Sequence, residues 1–260
     1  MKPSKYPNEY AILGIILILS GFGIIMMYSA SSIYAMNKFD NYMFFLTQQC
    51  KWIFLGIILM LLISQLNYKF LQKYALLILL LSWGALILGY LLKGNNSASR
   101  WLIIGGKSLM TTSDFARVSL IIFTASFIQK NNKKITDWRF VSFHFMPFLI
   151  ITLVLILFQP DTSTTIIIGL IIMLMLFISS TNWQLLAGIS LVGLAVLIIK
   201  VLNTPHALNR IITWNDHQKI QSLNAFGTGG ILGSGLGDSI VKNGYLPQAH
   251  TDFILPIVGE

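Results

Sequence analysis

Apolar runs long enough to cross a bilayer recur from one end of this chain to the other. The first, YAILGIILILSGFGIIMMY at 10–28, contains no charged residue. A spanning helix needs about 20 mostly apolar residues. Runs that meet or approach that length fall at 10–28, 50–66, 73–92, 113–128, 144–158, 163–180 and 183–201, and an eighth begins near 252. Charged residues are only 10% of the chain, against roughly 25% in soluble domains. Hydrophobic residues are 55% and the mean hydropathy is +0.73. Too little charge is available to cover a water-facing surface, so lipid must cover it. The expectation is an all-α polytopic membrane protein with seven complete transmembrane helices and a partial eighth, folded as one domain over 1–260.

Basic residues set the orientation. With the N-terminus in the cytoplasm, the inside segments are 1–9, 67–72, 129–143 and 181–182. With their flanks they carry Lys2, Lys5, Lys69, Lys73, Lys130, Lys133, Lys134 and Arg139, eight of the 18 basic residues. Short positively charged loops stay inside, and KNNKK at 130–134 is the clearest marker. The net charge of +9 is thereby read as topology and headgroup contact; no nucleic-acid partner is expected. A single cysteine, Cys50, excludes an internal disulfide and a cysteine zinc site. The four histidines show no metal-ligand spacing. The first apolar run is too long for a cleaved signal peptide.

Three sizeable loops then face outward, at 29–49, 93–112 and about 202–251. The last is too long for a plain connector. Its FGTGGILGSGLGDS at 226–239 is not a Walker A loop, because no GK[ST] follows, nor a dinucleotide fingerprint, because no alternating βα pattern surrounds it. The glycines suit a tight or re-entrant backbone beside the membrane.

Charged groups near a membrane are costly and mark function, and here they gather on the outer side. They are Arg100, Trp101 beside it, Lys107, Asp114 and Arg117, then Asp161, then Arg210, Asp216, Lys219, Lys242, His250 and Asp252. Cations there suit phosphate, and a carboxylate among them suits a general base. Each has a plainer reading. Arg100 and Trp101 could anchor the interface. Asp114 and Arg117, three apart, could pair. Asp161 could cap the helix that begins near Thr162. His250, Thr251 and Asp252 could cap the last apolar run. The convergence of the clusters on one face favours an outer-leaflet lipid or ion site.

YSASS at 28–32, FLTQQCKW at 45–52, SRWLIIG at 99–105, SDFARVSLI at 113–121 and LFQPDTSTT at 157–165 follow one another along the chain. IQSLNAFGTGGILGSGLGDSIVKNGYLPQAHTDF at 220–253 completes the series. In this order they resemble the SEDS family of cell-wall proteins, the FtsW/RodA/SpoVE group. YSASS and the glutamine-rich start of the second helix lean toward the FtsW side.

The resemblance implies a peptidoglycan glycosyltransferase in the bacterial cytoplasmic membrane, acting in cell division or elongation. It would polymerise lipid II at the outer face, with inversion and release of polyprenyl pyrophosphate, and an apolar groove would hold the lipid tails. Asp252 matches the family's essential aspartate and stands as the general base. Arg100 and Lys107 would face phosphate, Trp101 would shape the cavity, and Asp161, His250 and Thr251 would support the site. Asp114, Arg117, Arg210 and Lys242 complete the substrate-binding candidates. A class B penicillin-binding protein, the transpeptidase, is the implied partner beside lipid II and membrane lipid. No cofactor is required by the sequence; a divalent cation, Mg or Mn, could assist at the pyrophosphate. Alternatives are a lipid II flippase, and a scaffold that only recruits the transpeptidase.

The chain departs from the family pattern in places. Asp114 stands for the usual Glu and Arg117 for the usual Lys. Thr111 and Thr112 replace Gln-Pro, and Gln248 replaces the Glu of PEAHTDF. Family members have about ten spanning helices. The chain stops about eight residues, or about 12 Å, into its eighth, so it reads as C-terminally truncated.

Overall fold

The computed structural model describes residues 8–91, 101–104, 107–159, 161–202, 217–230, 233, 235 and 254–260. Helices stand at each of the seven expected spans. They are α1 (Asn8–Phe39), α2 (Phe44–Ser64), α3 (Tyr68–Leu91), α4 (Thr112–Lys130), α5 (Trp138–His144) with α6 (Met146–Phe158), α7 (Thr162–Ile178) and α8 (Trp183–Leu202). Further helices are α9 (His217–Gly229) and α10 (Ile254–Gly259). Among the described residues, α1, α2 and α3 are long and apolar enough to cross a membrane, and α5 with α6 makes a fourth if the bent pair is one span. Helix α7 and the Trp183–Val196 part of α8 are shorter apolar helices.

Local chemistry accounts for the boundaries that the apolar runs missed. Helix α1 continues through Phe39, so the outer loop expected from residue 29 starts after it. The hydroxyl of Ser31 donates to the Met27 carbonyl at 2.6 Å, so part of the polar YSASS stretch is satisfied inside the helix. The turn that follows has Asp40 in the left-handed region, φ 53°, and Asn41 accepts the Met43 N–H at 2.9 Å. The expected span 144–158 is broken at Phe145, and α5 and α6 meet at 47°. Pro147 sits in the first turn of α6. It lacks an N–H, and its ring would clash with a continuing helix one turn earlier. In the loop expected over 93–112, β1 (Trp101–Ile104) and β2 (Lys107–Thr111) pair antiparallel, with a register shift at Leu102/Ile103. In the loop expected over 202–251, α9 is helical and ends at Gly230, φ +56°, a conformation that glycine adopts without strain.

The chain divides into two compact units, 1–65 with 206–260 and 66–205. In the first, α1 packs on α2, and α10 packs on α9 and α1. Ala30, Ala225 and Ile257 form a small buried cluster there. Gly229 of α9 lies against Gly259 and Glu260; a Cβ at 229 would fall 2.6 Å from the Glu260 Cα.

The second unit holds the larger core. Helix α4 packs on α3, α6 and α7. Its buried side chains recur at helical spacing: Thr112, Ala116, Ser119, Leu120, Phe123 and Thr124. Small and hydroxyl residues allow close helix approach in lipid. Ser119 and Thr124 return their hydroxyls to their own helix, and Ser126 donates to the Gln72 carbonyl on α3. The Trp83 indole donates to Thr152 at 2.9 Å, linking α3 to α6. Phe145, fully buried, stacks on Phe123 and meets Phe127 at a tilt.

Candidate active site

One end of the second unit collects polar groups from three places: a backbone carbonyl of α3 at Leu86, the side chains at the start of α4, and Gln159 and Asp161 between α6 and α7. The Thr112 hydroxyl donates to Gln159 Oε1 at 2.9 Å, and Gln159 Nε2 donates to the Leu86 carbonyl at 2.9 Å. Thr112 and Gln159 are buried, as are Ser113 and Asp161 beside them. One amide thus ties α3 to α4, and its two partners fix which way it points. Gly89 permits the approach: a Cβ there would meet Thr112 Cγ2 at 3.1 Å and Gln159 Nε2 at 3.4 Å.

Asp161 makes the parallel link. Its Oδ2 accepts from the Ser113 hydroxyl at 2.8 Å and its Oδ1 from the Thr164 N–H at 3.2 Å. It is the N-cap of α7, placed where the helix dipole favours a carboxylate. The plainer reading of Asp161 as a cap therefore holds, and the same group also joins α7 to α4. Asp114 and Arg117 pair as their spacing allows, Arg117 Nη2 to Asp114 Oδ1 at 2.6 Å, on the exposed side of α4. Thr111 donates its hydroxyl to the other Asp114 oxygen.

The hairpin enters at this point. Thr111, its last residue, is the N-cap of α4, and Trp101 is its register partner. Trp101 is thus brought to the start of α4, near Asp114, while Lys107 stands at the turn end, opposite Ile104. The structure collects the segments carrying Trp101, Lys107, Asp114, Arg117 and Asp161 at one end. The candidates Arg100, Arg210, Lys242, His250, Thr251 and Asp252 lie outside the described residues. Among the described residues no group of three His, Cys, Asp or Glu could hold a metal ion.

Residues 10–260 match the model of the FtsW/RodA/SpoVE family, described as a cell cycle protein. The chain belongs to this family. A probable peptidoglycan glycosyltransferase FtsW of Geobacter sulfurreducens is 33% identical over 97% of this chain and 70% of its own length. Its namesake in Geobacter metallireducens is 35% identical over the same shares. The stage V sporulation protein E of Bacillus subtilis is 32% identical over 100% of this chain and 74% of its own. As an FtsW-like SEDS protein, the chain is a multi-pass protein of the bacterial inner membrane.

Sequence reasoning noted Thr112 only as a departure from the FtsW/RodA/SpoVE pattern, and Gln159 only as part of a motif. The structure bonds the two across 47 positions. A signal was present: both stretches, TTSD and QPDTSTT, are hydroxyl-rich helix starts, and the helices they open, α4 and α7, run parallel from the same end.

Proposed function

We propose that this chain is a peptidoglycan glycosyltransferase that extends glycan strands from lipid II at the outer face of the membrane. The observation that carries this reading is the family match over residues 10–260, with relatives named probable peptidoglycan glycosyltransferase FtsW at 33% and 35% identity. The geometry supports it. Helices α4, α6 and α7 run back and forth, so the end with the hairpin and the 159–161 turn lies opposite the end with Lys130, Lys133, Lys134 and Arg139. The positive-inside rule assigns that basic end to the cytoplasm, which leaves the polar cluster outside and the N-terminus inside.

In this reading Asp252 accepts the proton of the acceptor sugar's 4-hydroxyl. The oxygen attacks the anomeric carbon of the growing chain, whose bond to polyprenyl pyrophosphate breaks with inversion. The leaving oxygen keeps the bonding pair, and Arg100, Lys107, Arg210 and Lys242 offset the charge. Trp101 walls the cavity, and His250 and Thr251 position Asp252. Arg117 is already paired, so it shapes the rim with Asp114 and adds little to phosphate attraction. A divalent cation at the pyrophosphate would supply further charge compensation. A class B penicillin-binding protein would crosslink the product.

The test is polymerisation of lipid II by the purified chain. Asp252→Asn is expected to abolish glycan synthesis while the helical content stays. Wild-type synthesis by that variant would overturn the base assignment. Movement of lipid II across vesicles with no polymer formed would turn the reading to transport.

A further inference from the structure

The second unit also holds a groove of about 920 Å³ between α6, α7 and α8, with Trp138 and Ser142 of α5 at one end. Aliphatic side chains line most of it. Three glycines widen it, Gly169 on α7 and Gly188 and Gly193 on α8. A Cβ at any of the three would meet nothing within 4 Å. Glycine within a helix costs about 0.5–1 kcal/mol relative to alanine, and no neighbour among the described residues requires it here. The space they leave is free for something else.

The groove is short. Its lining runs from Thr165 to Leu176 on α7, a rise of about 16 Å. Along α7 that is close to half of the roughly 30 Å hydrocarbon core, with Trp138 and Ser142 of α5 lining the groove beyond it. Its polar groups are asymmetric. Thr165, near the 159–161 turn, is already bonded to the Asp161 carbonyl. At the α5 end, Trp138, Ser142 and Gln184 line the groove, and none of their side chains has a hydrogen-bond partner among the described residues.

Charge points the same way. The Arg139 guanidinium lies over the Trp138 ring, 5.5 Å from its centroid. Lys130, Lys133 and Lys134 are exposed in the segment just before. Asp137, the one carboxylate in 130–144, caps α5 by accepting the Arg139 N–H at 3.0 Å. The only ion pair among the described residues is Arg117 with Asp114, so none of these four cations is ion-paired there.

We propose that this groove binds one acyl chain of an anionic phospholipid, with the headgroup at the α5 end against Trp138, Arg139, Ser142 and Gln184. In the orientation proposed above this is the cytoplasmic leaflet, where anionic lipid attracts basic segments. The site is distinct from the polar cluster, which lies at the opposite end of the same helices. Lipid II, bound with its pyrophosphate at that cluster, would place no headgroup here.

The experiment is native mass spectrometry of the delipidated chain in detergent, titrated with phosphatidylglycerol or phosphatidylcholine. One phosphatidylglycerol is expected to stay bound, about fivefold more tightly than phosphatidylcholine. Gly188→Leu, which fills the groove, should lose the bound lipid, with Gly188→Ala intermediate. Lys134→Gln with Arg139→Gln should keep a lipid but lose the preference, and this pair decides the matter if Gly188→Leu does not fold. Equal retention of both lipids, an unchanged preference in the charge variant, or displacement by polyprenyl phosphate would each overturn the proposal. None of these readouts involves polymer synthesis, so their failure leaves the glycosyltransferase reading standing.

Discussion

Helices α2 and α4 have nearly the same length, 21 and 19 residues, and opposite environments. Helix α2 is apolar without interruption from Trp52 to Ile63 and buries no side chain. Helix α4 carries hydroxyls along its inner face and buries eight residues. In water the greasier helix would be the inner one. Here lipid takes the apolar helix and protein takes the polar one, because a hydroxyl in lipid finds few partners. The polar cluster of the candidate site grows from the start of α4 for the same reason: polar groups survive where other helices can satisfy them.

The contrast can be broken by substitution, read as unfolding free energy in detergent micelles. Leu120 on α4 is fully buried, and Leu120→Ala should destabilise by about 2–5 kcal/mol. Gln159→Leu should cost about 2–4 kcal/mol, because it leaves the Thr112 hydroxyl and Leu86 carbonyl buried without that partner. Asp161→Ala should cost about 2–3 kcal/mol, from the lost cap and the orphaned Ser113 hydroxyl. Arg117→Gln, on an exposed pair, should change stability by no more than about 1 kcal/mol. Leu62→Ala on α2, 57% exposed, should fall within about 0.5 kcal/mol. A loss at Leu62 equal to that at Leu120 would show that α2 is covered by protein rather than lipid.

The same contrast explains what could be read in advance. The spans are legible because lipid imposes a length and a composition on each. YSASS hid the last turns of α1 because a hydroxyl that bonds back within its own helix looks, in sequence, like a loop residue. The hairpin is short, and α9 is not apolar, so neither announces itself by an apolar run. Capping by Asp161 and pairing of Asp114 with Arg117 are local, so spacing revealed them. The bonds from Gln159 to Thr112 and to Leu86 cross 47 and 73 positions. Only packing brings those residues together, and no single-sequence pattern specifies it.

The Gln159 amide has a mechanical consequence. Its two bonds hold α3 and α4 in one register. Sliding α4 by a single residue would move Thr112 about 1.5 Å, enough to break a hydrogen bond of this length. The amide therefore works as a stop. The hairpin strand that ends at Thr111 hangs from a fixed point, so it can tilt about that point but not travel along the helix axis. Because Gln159 is also the C-cap of α6, a shift of α6 along its axis would pull on both bonds at once.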